Sequence, residues 1–237
     1  MRRGFVGMIV GLLLFAGTSA SASMLAPGDF VMATRSGGNQ QIVVLDATTM
    51  AATVLASGGH LDGATDLAVT GRGTILLSVV DVGVVRVLPE TGEQSVIATL
   101  AALGGGRPSG IALGPDGTIY VSLQGTSPRI VQLSADGSFL RVVTSGGFLP
   151  MPAGMCFGTD GAFYVCATAL NGGGGLVRVD LASGVQTAIA SNAPLYGPLD
   201  VAAAPDGSLW SIQFGHDSMR QGECVVRTRP ADGVSEI

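Results

Sequence analysis

The 237-residue chain has no lysine; its twelve basic residues are all arginines. That absence excludes Schiff-base chemistry through a lysine amine. It also excludes a phosphate loop of the kind that needs a lysine after its glycines, so the glycine runs at 104–106 and 172–175 read as flexible loops. Histidine is nearly as scarce, with His60 and His216 too far apart to form a metal-spaced pair along the chain. Three cysteines, Cys156, Cys166 and Cys224, are too scattered for a zinc motif. No G-x-S-x-G elbow is present, which leaves an esterase-type nucleophile without its signature. Charged residues are only 12% of the chain and no basic cluster occurs beyond its first residues, so nucleic acid is not an expected partner. Outside the first residues no window carries a 3.6-residue apolar stripe, and long amphipathic helices are not expected.

What the chain does have is apolar residues (47%), 37 glycines and 11 prolines. The glycines and prolines are spread between short apolar runs, where they act as turn punctuation. The first 22 residues read as an export signal: Arg2 and Arg3, an apolar stretch over 5–16, and the small-residue site Ala20-Ser21-Ala22. The apolar stretch is too short to span a bilayer comfortably. Cleavage after Ala22 leaves ten arginines against seventeen acids, a net charge of −7, in a secreted or periplasmic protein with no membrane attachment.

Internal repetition decides the fold. Residues 66–78 (DLAVTGRGTILLS), 110–122 (GIALGPDGTIYVS), 154–166 (GMCFGTDGAFYVC) and 200–211 (DVAAAPDGSLWS) share an apolar run, a glycine turn and a second apolar run. The turn glycines Gly73, Gly117, Gly161 and Gly207 are spaced by 44, 44 and 46 residues. A third run follows each unit, as in Val85-Arg86-Val87 and Val177-Arg178-Val179, and then a fourth short one. Asp-Gly turns supply the positive φ of tight hairpins, and β-branched residues dominate the runs. A four-stranded unit of about 45 residues is the signature of a propeller blade. The expectation is an all-β propeller of four-stranded antiparallel blades, about five of them, over 23–60, 61–104, 105–149, 150–195 and 196–237. The first unit shows no clear innermost strand and the last runs out at Ile237, so an incomplete six-bladed ring is the other reading. It would leave Val31, Ile42, Val44 and Val54 near an uncovered blade face.

Residues 108–122 (PSGIALGPDGTIYVS), with 129–133 (RIVQL) after them, resemble a full blade of the NHL-repeat and gluconolactonase-like (senescence-marker-like) propellers. The stretch 119–122 is also similar to the YVTN-type repeat, and streptogramin-lyase-like propellers share such blade sequences. The resemblance covers essentially the whole chain after the signal. It implies a six-bladed-type propeller that hosts many functions, among them metal-dependent lactone hydrolysis. The lactonases hold their divalent cation with acidic and amide side chains, one of them directly after the blade proline. Here Ser109, Ala153 and Leu199 follow Pro108, Pro152 and Pro198, and Asp200 stands one residue late. No metal ligand set is assignable, although a Ca²⁺ or Mg²⁺ ion remains an option.

Site candidates are few. Asp66 and Asp200 occupy the same place in two repeats, at the start of the innermost strand, where Gly110 and Gly154 stand in the others. They read either as polar or cation ligands at the channel or as carboxylates capping nearby amides. His60 lies in an inter-blade connection and joins them as a ligand-binding candidate. His216, Asp217 and Glu223 share the longest polar hairpin loop and are the candidates for acid–base work. Cys156 and Cys166 flank the 159–161 turn in slots given elsewhere to Ala68, Ala112, Ala202 and Ser78, Ser122, Ser211. Packed thiols and a cross-strand disulfide are both open. The functional expectation is a secreted binding or interaction module for a small molecule or protein. The alternative is a lactonase-like or streptogramin-lyase-like hydrolase or lyase with its site at the channel mouth.

Overall fold

The computed structural model describes residues 9–11, 25–26, 28–36, 39–191, 194–215 and 224–237. Its twenty described strands make five four-stranded antiparallel sheets, each with its strands in sequence order. Blade one is β1 (Ile9–Gly11), β2 (Phe30–Ser36), β3 (Asn39–Leu45) and β4 (Ala52–Ser57). Blade two is β5 (Ala64–Val69), β6 (Ile75–Val79), β7 (Gly83–Val87) and β8 (Gln94–Thr99). Blade three is β9 (Arg107–Leu113), β10 (Ile119–Gln124), β11 (Arg129–Leu133) and β12 (Phe139–Ser145). Blade four is β13 (Pro152–Phe157), β14 (Phe163–Ala167), β15 (Gly175–Val179) and β16 (Gln186–Ser191). Blade five is β17 (Tyr196–Ala203), β18 (Leu209–Gly215), β19 (Cys224–Thr228) and β20 (Ser235–Glu236). This is the β-propeller architecture, with only two short 3₁₀ turns as described helix. Blades one and two form one compact unit, Met1–Leu100, and blades three to five another, Ala101–Ile237.

The repeat dictates each blade locally. At the innermost hairpin, Gly117 takes φ +82° and donates its N–H to the Gly114 carbonyl, while Gly114 donates to the Thr118 carbonyl. Gly73, Gly161 and Gly207 close the same turn with φ of +84°, +74° and +83°. Glycine populates that region without the Cβ penalty other residues meet there. Asp116, Asp160 and Asp206 then accept backbone N–H groups two residues on, pinning the turn from its side.

Leu61, Leu103, Leu149 and Leu195, each at most 1% exposed, recur in the segments that lead into blades two to five and anchor them in the core. Glutamines fix the same segments. Gln94 accepts the N–H of His60 and donates to the Gly58 carbonyl; Gln186 accepts that of Phe148 and donates to the Gly146 carbonyl. Between blades three and four, Ser122 accepts the N–H of Gly110 at 2.7 Å and donates to the Ala153 carbonyl at 2.9 Å. Gln124 and Thr168 donate to the Pro152 and Pro198 carbonyls of the following blade. Apolar side chains fill the rest: Tyr120, Phe157 and Phe163 form an aromatic trio with centroids 4.9–5.7 Å apart between blades three and four.

Two expectations are corrected. Blade one has an innermost strand after all, because β1 pairs Ile9, Val10 and Gly11 with Ala33, Met32 and Val31. An apolar run read as a leader also satisfies the demands of an inner strand, so hydropathy alone did not reveal it. The C-terminal unit has its fourth strand, β20, paired with β19, so each of the five blades has four described strands. Val31, Ile42 and Val44 are buried against blade two, and the row they were expected to share with Val54 belongs to the opposite face. Strand alternation assigns Met32 and Val43 to the face of Val54, which is 53% exposed.

Candidate functional site

Superposing the repeats by their hairpins gives each residue an equivalent in the next blade. Tyr120, Tyr164 and Trp210 stand at one position; each pairs across its sheet with Gln132, Arg178 or Arg227. Between blades three and four this place is filled. Phe157 and Phe163 pack on Tyr120, Gln132 donates to the Tyr120 hydroxyl at 3.0 Å, and Arg141 bridges Gln132 and the Leu181 carbonyl. Between blades four and five the residues equivalent to Phe157, Phe163 and Leu181 are Ala203, Leu209 and Pro230. Leu209 and Ala203 share a buried cluster with Tyr164, and a groove of about 490 Å³ with Pro230 in its lining lies between the two blades.

Tyr164, Arg178, Asp160, Ser208, Arg227 and Arg229 line this groove. Tyr164 donates its hydroxyl to Asp160 at 3.0 Å, and that contact together with desolvation pushes the phenol up to about 12. Arg227 is already engaged, with Asp206 at 2.9 Å and Glu236 at 3.3 Å, and it lies over the Trp210 ring. Arg229 pairs with Asp232 at 3.2 Å. The Arg178 side chain is exposed, and its charge helps hold the Asp180 carboxyl below its ordinary value. It presents a planar donor fork at the groove wall, a geometry suited to carboxylate.

The other candidates fall elsewhere. His216, Asp217 and Glu223 lie outside the described residues. His60 is exposed in the first 3₁₀ turn, where its backbone rather than its ring is fixed. Asp66 is buried in β5 of the first unit and accepts the N–H of Leu67 at 2.7 Å; Asp200 in β17 of the second accepts that of Val201 at 2.8 Å. Each thus holds the amide next to its own, as the capping reading expects. No group of three or more metal-ligating side chains occurs among the described residues.

Asp200 is nonetheless unusual. Its carboxyl packs on Gly154 of β13, and burial pushes its pKa up to about 6. The Cys156 thiol, pushed up to about 12 by burial and by the charges of Asp200 and Asp160, is not a nucleophile at neutral pH. None of the three cysteines is in a disulfide. Cys156 pairs with Tyr164 and Cys166 with Leu176, so the two are not partners across the sheet. The register also puts Ile212, not Ser211, in the slot of Ser78, Ser122 and Cys166, because Ser211 pairs with Val201 on the other face.

A carboxyl whose folded pKa lies above its ordinary value of 3.8 favours the proton-bound fold. Its contribution is fully present below the ordinary value and is lost as the pH rises through about 6. Asp200→Asn is expected to flatten the stability profile across that window. At pH near 8 it should raise unfolding free energy by about 1–3 kcal/mol. Denaturant titrations at several pH values check this; an unchanged profile would place the carboxyl in water.

The groove could not be read from the chain, because its lining is assembled from side chains of two blades some 20–70 residues apart.

The fold and groove define a β-propeller, and comparisons agree. The structure resembles a streptogramin B lyase at 15% identity and a TM-score of 0.63, covering 98% of this chain and 72% of that one. It resembles virginiamycin B lyase from Staphylococcus aureus at 18% identity and a TM-score of 0.64, covering 98% and 73%. TolB from Acinetobacter baumannii matches at 18% identity and a TM-score of 0.62, over 84% of this chain and 48% of that one. No family model matches the chain, and no curated protein matches it by sequence. At these identities the likeness concerns the fold alone.

Proposed function

We propose that the chain is a ligand-binding propeller that takes a small molecule or peptide bearing a carboxylate in the groove between blades four and five. One observation carries this reading: a groove of about 490 Å³ lies between blades four and five, with the exposed guanidinium of Arg178 among the groups that line it. A concave site that is mostly apolar with a few charged groups in its lining is how small-ligand sites are commonly built. A thermal-shift screen of carboxylates and short peptides is expected to give a stabilising ligand, since binding to the native state raises its stability by mass action. Arg178→Ala should weaken that ligand about tenfold or more, the loss of a charge-assisted hydrogen bond. Stabilisation that Arg178→Ala leaves intact would remove the groove from the function. Ca²⁺, Mg²⁺ and lactones belong in the same screen, with the Asp66→Ala, Asp200→Ala double variant as the control for a cation at the inner strands.

A second reading is a hydrolase or lyase acting at the inner strands. It is favoured by Asp200, whose titration near pH 6 suits a general base. Turnover of lactone or cyclic-depsipeptide substrates that is abolished by Asp200→Asn supports it; turnover unaffected by that change excludes the residue.

Export completes the proposal. Arg2, Arg3, the apolar stretch and Ala20-Ser21-Ala22 support cleavage after Ala22 and a secreted or periplasmic location, and that cleavage would remove β1 and leave blade one with β2, β3 and β4. N-terminal sequencing of the exported protein should begin at or near Ser23; an intact Met1 on a cytoplasmic form excludes export. No described helix is long and apolar enough to cross a membrane.

A further inference from the structure

Blades four and five carry the same two charges at the same two places of the repeat. Asp160 and Asp206 stand in the hairpin turns just before Gly161 and Gly207, and Arg178 and Arg227 lie across the sheet from Tyr164 and Trp210. In blade five the two charges meet: Arg227 bonds Asp206 at 2.9 Å and reaches Glu236 as well. In blade four the tyrosine intervenes. Its hydroxyl donates to Asp160 Oδ2 at 3.0 Å, whereas Trp210 in the same place gives its N–H to Ser208 at 3.2 Å. Tyr164 thus stands between an acid and an arginine whose charges act on its phenol in opposite senses.

Both charges line the groove. Asp160 is exposed; its Oδ1 accepts the Ala162 N–H at 3.0 Å and its Oδ2 the Tyr164 hydroxyl. These are two of the roughly four acceptor positions of a carboxylate. Both donors are neutral, so they do not compensate its charge. Arg178 is exposed too, and its charge is the smallest of the influences that hold Asp180 low, after the bonds from Ser183 and Ala182. The other arginines of the groove are matched by acids, Arg227 as above and Arg229 by Asp232 at 3.2 Å. Ile189, Pro230 and Ala231 add an apolar part to the lining. Charge-assisted hydrogen bonds are the strong ones, and a site with both signs discriminates against a ligand that carries only one.

We propose that the ligand of this groove is zwitterionic, an amino acid or short peptide whose ammonium is received by Asp160 and whose carboxylate is received by Arg178. This rests on the groove being the binding site and adds the second charge. Asp160 becomes the specificity-determining residue, because a ligand with a carboxylate alone leaves the acid without its counter-charge.

Calorimetric titration of the full chain with alanyl-leucine, its N-acetyl form and its C-terminal amide tests this, since the three differ only in their end charges. The free dipeptide is expected to bind about tenfold or more tightly than either blocked form, one charge-assisted bond being lost in each. Asp160→Asn keeps an oxygen for the Ala162 N–H. It should reduce the free dipeptide to the affinity of the N-acetyl form and leave that form unchanged. Arg178→Gln should reduce the free dipeptide to the affinity of the amide. Circular dichroism checks that both variants fold. Should either misfold, a pH series on the parent decides. Affinity for the free dipeptide should fall as its amino group loses its proton near pH 8, and that for the N-acetyl form should not. Tyr164, pushed up to about 12, does not titrate in that window. Equal binding of the free and N-acetyl dipeptides, both weakened by Arg178→Gln, overturns the ammonium site and leaves the carboxylate groove standing. Equal binding of the free dipeptide and the amide overturns both. Absence of binding by all three up to about 10 mM also overturns the proposal, and the carboxylate screen with Arg178→Ala then decides the groove by itself.

Discussion

Phe163→Ala is expected to lower the unfolding free energy by about 3–5 kcal/mol, the cost of emptying a buried aromatic site. Phe163 is 1% exposed and lies 5.0 Å from the Tyr120 ring and 4.9 Å from that of Phe157. It pairs with Phe157 and Val179 within blade four and closes the interface to blade three. The trio cannot collapse into the space, because Tyr120 is fixed by Gln132 and the strands by their ladders. Urea denaturation of parent and variant measures the effect. A loss under about 1 kcal/mol would mean that the interface relaxes and that the aromatic contacts are incidental. Leu209, the equivalent residue in blade five, is as deeply buried but smaller, so Leu209→Ala should cost less than Phe163→Ala.

Gly154→Ala should be comparably damaging for a different reason. The glycine has no positive φ, so backbone strain is not the issue. An added Cβ would sit 2.1 Å from Asp200 Oδ1 and 2.6 Å from the Asp200 Cα, and the latter is backbone that cannot swing aside. Overpacking of this kind costs about 1–3 kcal/mol and occasionally more. Gly110 meets the same constraint, with its added Cβ 2.2 Å from the Ala153 carbonyl oxygen. Gly117→Ala provides the contrast, since nothing lies within 4 Å of its Cβ position and only the φ of +82° is penalised, at about 1 kcal/mol. Equal losses in Gly154→Ala and Gly117→Ala would show that the inner strands move apart to admit a methyl group. The glycines of the inner strand are therefore packing devices, whereas those of the hairpins are conformational ones, although the sequence writes both with one letter.

Much of the fold was legible because it is periodic. Hairpin glycines at spacings of 44, 44 and 46 residues, with β-branched runs between them, permit few architectures other than blades. The site was less legible. Asp66 and Asp200 drew attention by recurring at one place in the repeat, and both hold the amide that follows them. Arg178 recurs at the place of Arg86 and Arg227, yet it looks like any exposed strand arginine until the neighbouring blade supplies the other wall of the groove. Ser211 misled by sitting one residue from the serine slot, a shift that reverses the face of a strand.

The sequence by itself determined the strand content, the turn positions and the four-stranded unit, because these depend on backbone geometry and on alternation within a few residues. Tertiary structure decided which alternating face is covered, that Ile9–Gly11 serves as an inner strand, and that a groove lies between blades four and five. Those outcomes depend on the volumes of side chains some 40 residues apart meeting across an interface. A single strand carries no record of what its neighbour leaves empty.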